Sequence, residues 1–359
     1  MPKKRYSYID NMKFAACILV ALGHFFMSMT AQNVLPYTNI YNYLIKTLYT
    51  FHVPIFFVCS GFLYQKANHI TSFGAYKKGI LKKLLDLGVP YFTFTAITLL
   101  LKTFFSGDVT TKASPFWDTM FVHPTAPYWY LYSLFLMFLL IPCMKNKKNA
   151  GILFGFTLTV KVAYVIIQDA GISLSAENGF LNFIILRLTS VDNSALWFCG
   201  GMLLAFLNEE KLKKAGKILS LPLLASGIVL SALIFKKNSE FTYTQQFIIG
   251  LIFILFTYLT SIVVSPAWLN RLSFKFSDYF MPVFVMHTIC AAAVRTLLFH
   301  IGIQSFILHF IGGMIGSFLI PIIVYMICKK LTPLMFFFYP SRTIKILKGK
   351  KNGKIKVSA

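Results

Sequence analysis

Seven ionisable side chains stand inside apolar runs long enough to cross a bilayer: Lys13, His24, His52, Lys161, His287, Arg295 and His309. A charge at the centre of a membrane helix costs roughly 3 kcal/mol on insertion scales, so such residues by default mark a working site. Lys13 and His24 are eleven residues apart. At 100° per residue this is 1100°, about 20° from three full turns, so both face one side of a helix, about 16 Å apart along it. Asp10, one turn before Lys13, falls on a similar face. The spacing places Lys13 near the cytoplasmic end and His24 near mid-depth, and the shared face points to a shared polar cavity. The plainer alternatives are a snorkelling lysine and a helix–helix hydrogen bond.

His52 stands about eight residues into the second run, in Phe51-His52-Val53-Pro54, which ends at Ser60-Gly61. Pro54 removes an N–H, frees a carbonyl and predicts a kink near His52; a polar neighbour or water has to satisfy that carbonyl. His287 lies about eight residues into the ninth run. His24, His52 and His287 therefore share a depth, which suits proton transfer, because histidine titrates near neutral pH. Metal ligation is the weaker reading, since no Cys or carboxylate shares that depth. Trp129 and Tyr130 open the fourth run at the outer surface, as interfacial anchors or as a platform for a sugar ring. Arg295 lies near the outer end of the ninth run, able to snorkel or to meet an acceptor. Arg187 and Asp192 precede the sixth run on the outer side, placed for an anionic or polar acceptor. Lys161 and His309 are read as structural. The chain has no P-loop or HExxH helix and no GxSxG elbow.

The elements that must position these residues follow from composition. Of 359 residues, 57% are hydrophobic and 13% charged, with 38 Phe and a mean hydropathy of +0.68. A soluble domain carries about 25% charged residues. Too little polar surface remains for a soluble globule, and no collagen-like period, polar tract or disulfide scaffold is present. The reading is an all-α integral membrane protein, in runs of about 20 apolar residues. About ten spans are expected: 12–31, 44–64, 86–105, 128–144, 151–169, 194–207, 218–235, 244–264, 279–299 and 305–328. The sixth is short and is expected to start within 180–188, with a break around Asp192 and Asn193.

Lys and Arg total 35 against 11 Asp and Glu, a net charge of +24. Most of these cations fall in alternate connections and at the two ends. The positive-inside rule then puts both termini in the cytoplasm, in agreement with an even span count. Hydrocarbon-length runs separate the basic clusters, which argues against nucleic acid as a partner. The six cysteines lie in or beside apolar runs without metal-ligand spacing, so neither a disulfide nor a metal is expected. The first run is too long for a cleavable signal peptide. The expected organisation is a transmembrane domain over 1–340 and a basic cytoplasmic tail over 341–359, near anionic lipid. Gly312, Gly313 and Gly316 suit close helix packing in the last span.

Two segments carry a family resemblance. Tyr8-Ile9-Asp10-Asn11-Met12-Lys13-Phe14 with Val20-Ala21-Leu22-Gly23-His24 resembles the opening of the acyltransferase 3 family of membrane acyltransferases: an acidic residue, a basic residue, ten residues and a histidine. The segment from Phe51 to Phe62 is similar to that family's second-span signature. Trp129-Tyr130-Leu131, Phe198 to Leu203 and Val283 to His287 are weaker echoes, in family order. The resemblance implies transfer of an acyl group, usually acetyl from acetyl-CoA, to hydroxyls of cell-surface polysaccharides or lipid-linked intermediates, in the cell membrane and with no bound cofactor. It implies that His24 is catalytic. Many members carry Arg where this chain has Lys13, and Lys lacks the bidentate fork. Some members add an extracytoplasmic esterase-like domain; here the reaction is expected to finish within the membrane portion.

The expected mechanism has His24 take the acceptor proton, with Lys13 holding the CoA end or opposing developing charge. An acyl-His intermediate is the second route. His52 and Ser60 shape a wall, His287 orients or relays, and Trp129, Arg187 and Arg295 serve the glycan acceptor. The rival class is a transporter or flippase for a polysaccharide precursor, which explains the spans and mid-depth polar groups but not the two early motifs.

Overall fold

The computed structural model describes residues 5–32, 39–67, 73–107, 113–175 and 178–351. Among them are twelve α-helices: α1 (Ser7–Ala31), α2 (Asn39–Ala67), α3 (Phe73–Phe104), α4 (Trp129–Leu140), α5 (Lys147–Asp169), α6 (Gly179–Leu204), α7 (Glu209–Asn238), α8 (Tyr243–Val263), α9 (Ala267–Phe276), α10 (Phe280–His300), α11 (Phe306–Lys330) and α12 (Pro340–Lys351). No strand occurs among the described residues. Among the described residues, eight helices are long and apolar enough to cross a membrane, and α4 is a shorter apolar helix. The protein is therefore an all-α membrane protein, the class in which every backbone group is satisfied within its own segment.

Each expected span falls on one of these helices. The sixth differs in detail. It begins early, at Gly179, but α6 runs through 190–193 without a break. The Asn178 side chain caps it by accepting from the amides of Phe180 and Leu181. With the first amides satisfied and apolar residues on both sides of the polar pair, the helix propagates through 190–193. The side chain of Asp192 lies outside the described residues, as do residues 352–359 of the expected tail.

The chain divides into two units. The first comprises residues 1–69 and 140–277. Its centre is α2, which packs on α6, α1 and α8; α7 packs on α8, α5 on α6 and α9 on α1. Helix starts here are set by side-chain caps: Asn146 accepts from Asn149 N–H, Asn208 from Lys211 N–H, and Thr242 with Gln245 forms a capping box. The second unit comprises 70–139 and 278–359. Here α10 pairs with α11, and α3 meets α10 and α12. Many large apolar side chains, such as Phe180, Leu221 and Ile307, are exposed. In water that surface would be strongly unfavourable; hydrocarbon is its natural solvent.

Candidate active site

In the first unit, α1 runs uninterrupted from Ser7 to Ala31, with no proline. The stripe predicted from spacing therefore exists: Asp10, Lys13 and His24 share a face. Asp10 accepts from Arg5 Nε at 2.6 Å. Lys13, half-buried, lies close enough to Cys17 and Cys59 to act on both electrostatically.

At the other end of the stripe, the His24 ring meets α2. Its Nδ1 lies 3.5 Å from the Tyr49 hydroxyl, and the two rings are edge-on at 6.2 Å. Tyr49 in turn lies edge-on to His52 at 4.6 Å. Tyr49 stands between the two histidines, and its hydroxyl also reaches Met27 Sδ at 3.6 Å. Gly23 allows this approach: a Cβ there would lie 3.3 Å from the Tyr49 ring. His52 is buried, and its Nδ1–H donates to the Leu48 carbonyl at 2.6 Å. A carbonyl can only accept, so in neutral His52 the lone pair resides on Nε2. Sequence reading did not single out Tyr49, because a tyrosine three residues before a mid-depth histidine reads as packing. The ring edge-on between two imidazoles becomes visible only once α1 and α2 are docked.

The position of α2 is held by backbone contacts. A Cβ at Gly61 would overlap the Phe198 carbonyl, and one at Gly201 would overlap the Val58 carbonyl. The Ser60-Gly61 segment and the Gly200-Gly201 segment, 140 residues apart in sequence, are thus two halves of one α2–α6 interface. Half-buried Ser60 sits beside it. Pro54 lies inside a continuous α2. It cannot donate to the Thr50 carbonyl four residues earlier. Gly250 of α8 packs against that same carbonyl, so closely that a Cβ there would be 2.6 Å from it. The carbonyl that Pro54 frees therefore packs against a neighbouring glycine backbone. Arg187 on α6 is half-buried, its guanidinium 5.7 Å from the Phe183 ring one turn earlier. Lys161 on α5 is buried with its ammonium 5.0 Å from the Tyr164 ring.

The second unit holds the other candidates. His287 on α10 is buried, its Nδ1 bonded to the Phe284 and Val283 carbonyls at 2.8 and 3.1 Å. Ser317 of α11 donates to the His287 carbonyl at 3.3 Å. Fully buried Tyr128, also missed from sequence, donates to the Val285 carbonyl at 3.0 Å and pairs with Thr98 at 2.8 Å. It precedes Trp129, which starts α4; the neighbouring Tyr130 meets the Phe284 ring edge-on at 5.2 Å. Arg295 is 6% exposed, so it does not snorkel. His309 is buried against Phe299, its Nε2–H donating to the Ile303 carbonyl at 2.9 Å.

Chemically, the first unit offers a half-buried imidazole at mid-helix, a phenol beside it and a second imidazole of fixed tautomer. That set can accept and hold a proton. Among the described residues no three His, Cys, Asp or Glu gather to hold a metal ion, and no disulfide joins the six cysteines.

A family model described as an acyltransferase domain matches residues 6–326 of the chain. Comparisons with curated proteins and with solved structures give no match. The matched span takes in Asp10, Lys13, His24, His52, Ser60, Trp129, Arg187, His287 and Arg295.

Proposed function

The chain belongs to the acyltransferase 3 family, a membrane acyltransferase by its match and its apolar helices, and from that premise we propose that it moves an acetyl group from acetyl-CoA to a sugar hydroxyl. The acceptor is a cell-surface or exopolysaccharide, or its lipid-linked precursor, at the cell membrane. The observation that carries this reading is the His24–Tyr49–His52 group at one end of the Lys13–His24 stripe.

A protonated sugar hydroxyl is a poor nucleophile. Neutral His24 removes its proton through Nε2 as the oxygen attacks the thioester carbonyl. For Nε2 to carry the lone pair, Nδ1–H must donate to the Tyr49 oxygen, and the Tyr49 O–H then points to Met27 Sδ. The 3.5 Å contact is long, as is common before substrate closes a site. The tetrahedral intermediate collapses with loss of the CoA thiolate, which takes the proton back from His24. The free enzyme, CoA–SH and the O-acetyl sugar result. Lys13, about 16 Å from His24 along the axis, is too far to meet the reacting carbonyl. It serves the donor as a positioning cation. Trp129, Arg187 and Arg295 are assigned to the acceptor from their sequence positions alone.

The test uses membranes containing the full chain, labelled acetyl-CoA and a surface glycan. Wild type should label the glycan and release CoA. His24→Ala and His24→Gln, at normal expression, should lose about 10²–10⁴-fold, the usual worth of a positioned base. Retained transfer in either variant would sink the proposal. A transporter would consume no thioester at all.

A further inference from the structure

The connection from α3 to α4, in the second unit, carries chemistry that the reaction above does not use. By the apolar pattern it belongs outside the membrane, but its contacts place it deeper. Tyr91 donates to the Met120 carbonyl at 2.6 Å. Tyr91 stands thirteen residues before Phe104, the last residue of α3, or about 20 Å along the axis. Buried Tyr128 donates to the Val285 carbonyl at 3.0 Å, and Tyr130 meets the Phe284 ring edge-on. Val285 is five residues into α10, about 8 Å from its Phe280 end. Beside that end Asp278 and Arg342 form an exposed ion pair, which marks the level of water. The chain that leaves α3 at Phe104 therefore folds back to the depth of α10, and α4 starts there rather than at the outer surface.

Irregular backbone persists at that depth only where protein covers it or water reaches it. Thr119 and Met120 are covered. Residues from Ala113 to Trp117, and His123, are exposed. Asp118–Val122 is a single turn of π-helix, a geometry that recurs at functional sites. His123 closes this turn twice: its amide donates to the Asp118 carbonyl at 2.7 Å, and its Nδ1–H to the Asp118 carboxylate at 2.7 Å. In neutral His123 the lone pair then resides on Nε2. An exposed carboxylate and imidazole at bilayer depth are costly against hydrocarbon and suit a water-filled cavity.

Beside this pair stands Trp117, 71% exposed. Its ring stacks on Phe121 at 5.3 Å with 25° between the planes, and Phe116 meets it edge-on at 5.8 Å. The indole is thus braced from within the turn, while most of its surface stays uncovered. A flat aromatic face next to hydrogen-bonding groups of fixed direction matches a ring that is apolar on its faces and polar at its rim.

We propose that residues 113–123 line a water-filled recess that binds a neutral sugar ring of the acceptor glycan. That a glycan comes to this protein rests on the acyltransferase reading above. The weakly positive C–H face of a pyranose lies on the negative face of the Trp117 indole. The remaining lone pairs of Asp118 accept from neighbouring sugar hydroxyls, and His123 Nε2 accepts from another. The same carboxylate repels a uronate, which selects the neutral class. Exposed aromatic rings also anchor proteins at a lipid interface; the fold-back and the Asp118–His123 pair favour the sugar, and the test separates the two.

Trp117→Cys and His123→Cys, each in the full chain in cell membranes, are treated with a charged, membrane-impermeant thiol reagent. Both should label well above the wild-type background. Resistance of either would mean that the turn faces lipid or protein, and would overturn the proposal. Binding of neutral gluco-, manno- and galacto-oligosaccharides and of oligogalacturonate is then measured in nanodiscs. Wild type should bind at least one neutral series at least tenfold more tightly than the acid. Binding of none, or preference for the acid, would overturn the proposal. Trp117→Ala should weaken neutral binding and raise KM for the glycan at least tenfold, with KM for acetyl-CoA within twofold, and Trp117→Phe should recover most of the loss. Unchanged binding in Trp117→Ala would overturn the proposal, as would an equal rise in both KM values, which marks a structural role. Asp118→Asn should narrow the preference for neutral over acidic sugar severalfold. His24→Ala should bind the oligosaccharides as wild type does. If they bind through Trp117 yet wild type transfers no acetyl group, the sugar site stands and the proposed reaction fails.

Discussion

His24 and His287 both lie within long apolar helices, yet their surroundings differ in kind. His24, in the first unit, is half-buried and touches Tyr49 through a long 3.5 Å contact. His287, in the second, is 2% exposed and has its Nδ1 committed to two carbonyls of its own helix, while its backbone carbonyl accepts from Ser317. A half-buried ring can exchange a proton with a substrate. A ring tied to its own helix and enclosed acts as a packing and positioning element. Depth in the membrane, which groups the two in sequence, does not separate these roles; the neighbours do.

The largest expected effect comes from the interface that presents α2 to His24. Gly201→Ala puts a methyl into the Val58 carbonyl, an overpacking that costs at least ~1–3 kcal/mol. Its melting temperature in detergent should fall and transfer should be lost. An unaltered melting curve would mean that α2 and α6 do not meet at these glycines. A smaller effect is expected of Tyr49→Phe, which keeps the ring between the histidines but removes the hydroxyl. With the His24 tautomer no longer fixed, kcat should fall about tenfold, or ~1.4 kcal/mol, at unchanged KM for the donor. No change in kcat would remove Tyr49 from the site. The smallest effect on rate is expected of His287→Ala. It should destabilise the fold by roughly 1–3 kcal/mol, read by thermal unfolding, with transfer per folded molecule within about threefold of wild type. If it abolished transfer as fully as His24→Ala while remaining folded, the distinction between the two rings would be broken.

Much of this was legible before any coordinates. The Asp10–Lys13–His24 stripe needs only an uninterrupted helix, and the apolar run from Met12 supplies it. The carbonyl freed by Pro54 was expected to need a polar neighbour or water, and the structure packs the Gly250 backbone against it instead. Other features were not legible. Tyr49 lies in a segment whose aromatic residues all look alike. The polar pair at 192–193 suggested a break that capping by Asn178 and continuous propagation of α6 override. Arg295 looked able to snorkel and is instead buried. The cluster of Asn11, Ser265, Asn270 and Ser273 joins residues more than 250 positions apart, and short polar side chains near helix ends otherwise read as caps.

The sequence by itself determined the solvent of this protein, the helices, the face on which the early acidic, basic and imidazole groups line up, and the family. These are local properties, set by composition and by a period of 3.6 residues. Only the tertiary structure decided which histidine stands beside a phenol, which is locked away, where glycine lets two backbones touch, and that the chain between α3 and α4 folds back to meet α10. Those depend on the rotation and register of helices far apart in the chain, which close packing alone selects.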